Sequence, residues 1–143
     1  MTAAQTFSLA NSFALLGWLV LVVAIVINRP WLRDTIAGTI WPLLLSALYL
    51  VALAIGWAGS SGGFSSLQGV RQLFSTDWPL LAGWVHYLAF DLFVGAWIAA
   101  ETERLRLSRL LLVPVLPLTF LFGPAGFLLF QILRYALGAR RNA

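Results

Sequence analysis

Four stretches of this chain are apolar almost without interruption, at residues 7–27, 39–57, 78–100 and 110–133. Each has close to the roughly 20 residues that an α-helix needs to cross a hydrocarbon core about 30 Å thick. The first is broken only by Ser8, Asn11, Ser12 and Gly17 and ends at Asn28-Arg29-Pro30, where the proline holds Arg29 out of the helical region. A short connection at 31–38 carries Arg33, Asp34 and the interfacial ring of Trp31. The second helix then starts near residue 39, with Pro42 in its first turn, where a missing N–H costs little.

Residues 58–77 form the longest connection. GSSGG reads as a turn, whereas SSLQGVRQLF places Leu67, Val70, Leu73 and Phe74 at helical spacing with Arg71 and Gln72 between them. That segment is far too short to span, so it predicts an amphipathic helix lying in the interface, begun by Ser65 or Ser66 as N-cap. In the fourth run Pro114, Pro117 and Gly123-Pro124-Ala125-Gly126 interrupt the helix at two levels. Kinks survive in lipid where neighbours satisfy the freed carbonyls, so this helix should be packed in protein on that side. The tail from residue 134 reads as a frayed basic end. The expectation is one all-α domain over 1–143, a four-helix transmembrane bundle with a short interfacial helix and a Pro/Gly-kinked fourth span.

Composition agrees. Hydrophobic residues make up 61% and charged residues 10%, with a mean hydropathy of +0.90, against about 25% charged in soluble domains. The nine basic residues are all arginine and lie almost entirely between the apolar runs. Such placement suits headgroup anchors and argues for lipid, not nucleic acid, as the partner. Cysteine is absent, which excludes disulfides and thiolate chemistry. The first run has neither a basic leader region nor a small-residue cleavage signal, so it reads as a retained helix of a multi-pass inner-membrane protein. With four crossings, five arginines face one side and four the other, which sets no orientation.

The third run holds the only histidine, His86, and an aspartate, Asp91, near its middle. An ionisable group at that depth costs roughly 2.5–3.5 kcal/mol on insertion scales and faces a bundle interior or polar cavity. Projected at about 100° per residue, His86, Phe90, Phe93 and Trp97 form one stripe, and Tyr87, Asp91, Val94 and Ile98 another. The two ionisable groups are therefore not a direct pair, and Tyr87 is the same-face neighbour of Asp91. Tyr49 of the second helix and Thr119 of the fourth share the depth of Asp91. The plain alternative makes Asp91 a hydrogen-bonded bundle clamp and His86 an anchor near the headgroups. One His and one Asp fall short of a metal ligand set, a haem would have His86 alone as axial ligand, and no phosphate loop or nucleophile elbow occurs. No metal or cofactor is expected.

The runs SLQGVRQLF, GWVHYLAFDLFVGAWI and LPLTFLFGPAGFLLF resemble the signature segments of the abscisic-acid-deficient-four family of small membrane proteins, whose plant member is required for making neoxanthin from violaxanthin. Ala96 stands where many members have arginine. The resemblance implies a carotenoid or other isoprenoid ligand, and an isomerisation in which an epoxide opens as a proton leaves the polyene. Asp91 is then the candidate acid and His86 the candidate base, with Tyr87, Phe90, Phe93, Trp97, Tyr49, Thr119 and Arg71 as ligand-binding candidates. Aromatic content of 14% suits a groove for a long polyene. Two other functions compete: a non-catalytic carotenoid-binding or assembly protein, and a small transporter or proton-relay subunit, for which a midplane Asp and a broken helix are suggestive. The relay requires a homo-oligomer or larger complex.

Overall fold

A computed structural model describes residues 1–57 and 62–141, with side chains as far as residue 137. The described residues are helical with short connections, and four helical stretches are long and apolar enough to cross a membrane. The GSSGG turn lies partly outside the described residues.

Helix α1 (Ala3–Val26) opens on a capping box, in which the Thr2 side chain accepts from the Gln5 N–H and the Gln5 side chain from that of Thr2. Ala10, Ala14, Gly17, Leu21 and Ala24 recur along its inner face and are buried, the small-residue seam that lets membrane helices approach closely. A side chain at Gly17 would meet the Trp41 ring at 2.6 Å, and one at Gly95 would meet the Trp18 ring at 2.5 Å. Asn28 ends the helix in the left-handed region at φ 55°, a conformation asparagine tolerates, and Pro30 begins the next helix.

The second span starts earlier than its sequence suggests. Residues 31–38 are helical instead of a loop, because a π-helix at Leu32–Ile40 leads directly into α2 (Trp41–Trp57). Pro42 is the physical reason. It lies inside a helix, where it lacks an N–H and crowds the preceding turn, and the wider turn accommodates it. Accordingly the Trp41 N–H reaches back five residues to the Ile36 carbonyl. Helix α2 packs along α4, closely enough that a side chain at Gly56 would meet the Pro79 ring at 2.6 Å.

Helix α3 (Leu67–Leu73) is the short amphipathic segment, capped by Ser66, whose hydroxyl accepts from the Gly69 N–H at 3.0 Å. Leu73 is buried and Leu67 is outward-facing. Replacing the cap, Ser66→Ala, is expected to cost about 1 kcal/mol, read as faster amide exchange confined to 67–73.

Helix α4 (Asp77–Arg104) is the central element and touches every other span. The last helix, α5 (Leu112–Arg141), breaks at Phe122, whose φ −149° and ψ 65° are not helical. The kink expected in the fourth span is a reversal. Residues 119 and 126 would lie about 10 Å apart along a straight helix, yet a side chain at Gly126 would meet the Thr119 backbone at 2.5 Å. Leu112, Val115 and Leu116 share a core cluster with Phe130 and Leu133. The two halves are thus antiparallel, and α5 is a re-entrant hairpin with its tip at 122–123.

Both ends of this hairpin lie at one end of the bundle. Arg109, at its start, donates to the Ile25 carbonyl at 3.3 Å and to the Asn28 side chain. Arg134, on its return, pairs with Glu101 at 3.2 Å. Arg33 pairs with Asp34 at 2.6 Å and with Glu103, and Arg104 with Glu101 at 2.6 Å. The N-terminus of α1 lies at the opposite end, where Ala3 and Ala4 border the same cleft as Asp77. The frayed tail is not observed, since α5 stays helical to Arg141. The arginine count changes with the reversal: among the arginines whose side chains are described, only Arg71 remains at the end of the bundle that holds α3.

Candidate functional site

The hairpin tip meets α4 at Asp91. Opening the helix at Phe122 strands backbone groups that water cannot reach, and such groups need partners in lipid. Tyr87 and Asp91, one turn apart on α4, supply them. The Tyr87 hydroxyl donates to the Leu121 carbonyl at 2.6 Å, and the Gly123 N–H lies against the Asp91 carboxyl with the Tyr87 hydroxyl beside it. Asp91 thus caps the start of the returning half-helix and Tyr87 the end of the entering one. The approach requires glycine, because a side chain at Gly123 would place its first carbon 1.8 Å from Asp91 Oδ1. Asp91 is only 6% exposed, and its Oδ2 is buried with no hydrogen-bond partner.

The two stripes of α4 separate as their projection indicates. Asp91 and Ile98 are buried, whereas His86, Phe90, Phe93 and Trp97 all face outward. His86 lies between Phe90, at 4.6 Å between ring centres, and Tyr49, at 5.8 Å. Tyr49 therefore accompanies His86, not Asp91. Thr119 is fully buried, but its hydroxyl donates to the Val115 carbonyl at 2.8 Å and it wedges against Gly126. Gly123, which sequence reasoning passed over as part of a kink, is the residue the carboxyl touches. Its signal was present in the Gly-Pro pair, but not the partner it would meet.

Phe90 and Phe93 border an outward cleft of about 340 Å³ with Gly38, Thr39, Pro42 and Leu43. Trp97 instead lies against Phe127 and Phe130 of the returning half-helix, at 5.7 and 5.8 Å. Arg71 is exposed in the last turn of α3, away from the hairpin tip. Among the described residues no group of three or more His, Cys, Asp or Glu comes together.

A family model described as ABA DEFICIENT 4-like matches residues 5–130. The chain belongs to that family. The match takes in α1 and the second span, beyond the segments that carry the sequence resemblance, and it ends at Phe130 within the returning half-helix. No curated protein and no solved structure matches the chain. In this family member Ala96 is buried and packs against Gly38, where an added Cβ would lie 3.1 Å away.

Proposed function

We propose that this member of the ABA DEFICIENT 4-like family is an inner-membrane protein of carotenoid metabolism that isomerises a carotenoid epoxide at Asp91 and Tyr87, with the arginine-rich end of the bundle facing the cytoplasm. One observation carries the reading: a carboxyl oxygen at mid-depth is buried without a partner, although unpaired polar atoms in such a place are costly.

In this reaction the epoxide C–O bond opens and its oxygen takes a proton, becoming a tertiary alcohol. A C–H proton leaves the polyene, and the electron pair it releases completes the allene. The Tyr87 hydroxyl, bonded to the Leu121 carbonyl, lies beside the Asp91 carboxyl, and on this reading the carboxyl gives its proton to the epoxide oxygen. Because His86 faces away, the carboxylate left after the first transfer is the group that takes the polyene proton, which restores the acid and closes the cycle. Asp91→Asn keeps the shape and removes the acid, so turnover of violaxanthin to its allenic isomer by protein in lipid nanodiscs should fall about a hundredfold or more. Unchanged turnover would remove Asp91 from the chemistry and leave it as a cap for the hairpin.

A second reading, pigment binding without catalysis, is favoured by the outward cleft beside Phe90 and Phe93. On that reading a carotenoid co-purifies with the Asp91→Asn protein as well as with the wild type, and no allene forms with either.

A further inference from the structure

The re-entrant hairpin covers α1 and α4 through only half the depth of the bundle, from the arginine-rich end to the tip at 122–123. Beyond the tip, the faces that a full span would have covered stay open. On α4 that face runs through Leu80 and Trp84 to Tyr87, and on α1 through Phe7 and Asn11. The rings form a ladder: Phe7 lies 5.8 Å from Trp84, which stacks on Tyr87 at 5.3 Å. The Trp84 indole N–H donates to Asn11 Oδ1 at 2.8 Å, which holds the ladder in register across the two helices. Its lower end widens into a cleft of about 390 Å³ beside Ala3, Ala4 and Asp77. Its upper end is the Tyr87 hydroxyl, with the partnerless Asp91 Oδ2 behind it.

We infer that this half-depth groove is the ligand site, and that an isoprenoid chain enters it from the leaflet opposite the arginine-rich end with an oxygenated end group foremost, at Tyr87. The inference rests on the carotenoid reading above and adds the place, the direction and the end of the molecule that is recognised. From Asp77 to Tyr87 the groove runs about 15 Å, half of the hydrocarbon core. Aromatic walls suit a polyene; Asp77 lies at the open mouth, the Asn11 side chain is taken up by the Trp84 indole, and Tyr87 and Asp91 are the polar groups at the closed end. A plain acyl chain would bring its terminal methyl to that end and leave Asp91 Oδ2 without a partner, whereas a hydroxyl or epoxide oxygen would meet the polar groups of the closed end. The cleft beside Phe90 and Phe93 lacks that feature, since it is lined by Gly38, Pro42, Leu43 and Ala89 with only Thr39 and Ser46 polar.

The test is pigment retention by protein in lipid nanodiscs loaded with violaxanthin and washed, read from visible absorption per protein. Leu80 and Leu43 both face outward, so a bulky side chain at either leaves the core intact. Leu80→Trp fills the half-depth groove and should lower retention about tenfold, while Leu43→Trp, in the other cleft, should change it less than about twofold. Tyr87→Phe should lower retention of violaxanthin but not of β-carotene, which has no oxygen to recognise. The reverse pattern for the two tryptophans would place the pigment beside Phe90 and Phe93 and overturn the groove while keeping the carotenoid reading. Retention unaffected by either would also overturn it. Wild-type protein that takes up no pigment would overturn both.

Discussion

A cysteine at Ala136 will react with a membrane-impermeant maleimide from the same side as one at Ser108, and from the side opposite one at Gln68. The chain has no cysteine of its own, so each single variant carries one thiol and the result is all or none. The expectation follows from the reversal at Phe122. Residues 109–137 are long and apolar enough to span, and by that measure alone the region after Arg134 would emerge beside α3. The contacts of both halves say otherwise: Arg109 reaches Ile25 and Asn28 at the end of α1, and Arg134 reaches Glu101 near the end of α4. On the proposed orientation, Ser108 and Ala136 are labelled only after the membrane is opened, and Gln68 in intact cells. Labelling of Ala136 together with Gln68 would mean that α5 crosses. Joint labelling of Ser108 and Ala136 in intact cells would keep the hairpin and invert the orientation.

Gly123→Ala is expected to destabilise the protein by about 3 kcal/mol or more, at the upper end of the usual cost of overpacking. The added carbon would sit 1.8 Å from one oxygen of Asp91 and 2.6 Å from its carboxyl carbon, and neither partner can retreat. Asp91 is held by Tyr87 and by the surrounding helices, and Gly123 by the turn it completes. Gly83→Ala is the control, because there the new methyl meets the edge of the Phe74 ring at 2.8 Å, and Phe74 is partly exposed and free to turn. Removing the carboxyl in the double variant Asp91→Ala/Gly123→Ala should recover part of the loss, since the two positions act through one contact. Thermal unfolding in detergent, followed by helical circular dichroism, would measure all of these. A Gly123→Ala protein as stable as the Gly83→Ala protein would show that the tip does not seat on the carboxyl.

These expectations divide by where their information lies. The apolar runs, the Asn28-Arg29-Pro30 break, the Ser66 cap and the separation of His86 from Asp91 are all legible in order along the chain. They depend on helical period, on capping and on the fixed φ of proline, which act within about one or two turns. The early start of the second span was missed for a local reason too, because Pro42 reads equally well as a first-turn residue and as an interior one relieved by a π-helix.

The reversal at Phe122 is of another kind. A Gly-Pro break says that a helix is interrupted, but not whether the chain beyond it continues or returns. That choice is made by groups far away in sequence: Glu101 for Arg134, and Asp91 and Tyr87 for the open backbone at the tip. From sequence alone, composition, helix content, membrane residence and the stripe that buries Asp91 were determined, because each is a sum or a period over neighbouring residues. Only the tertiary structure decided that α5 turns back, that the arginines gather at one end and that half the depth of α1 and α4 is left open, because those follow from contacts between helices that no local pattern encodes.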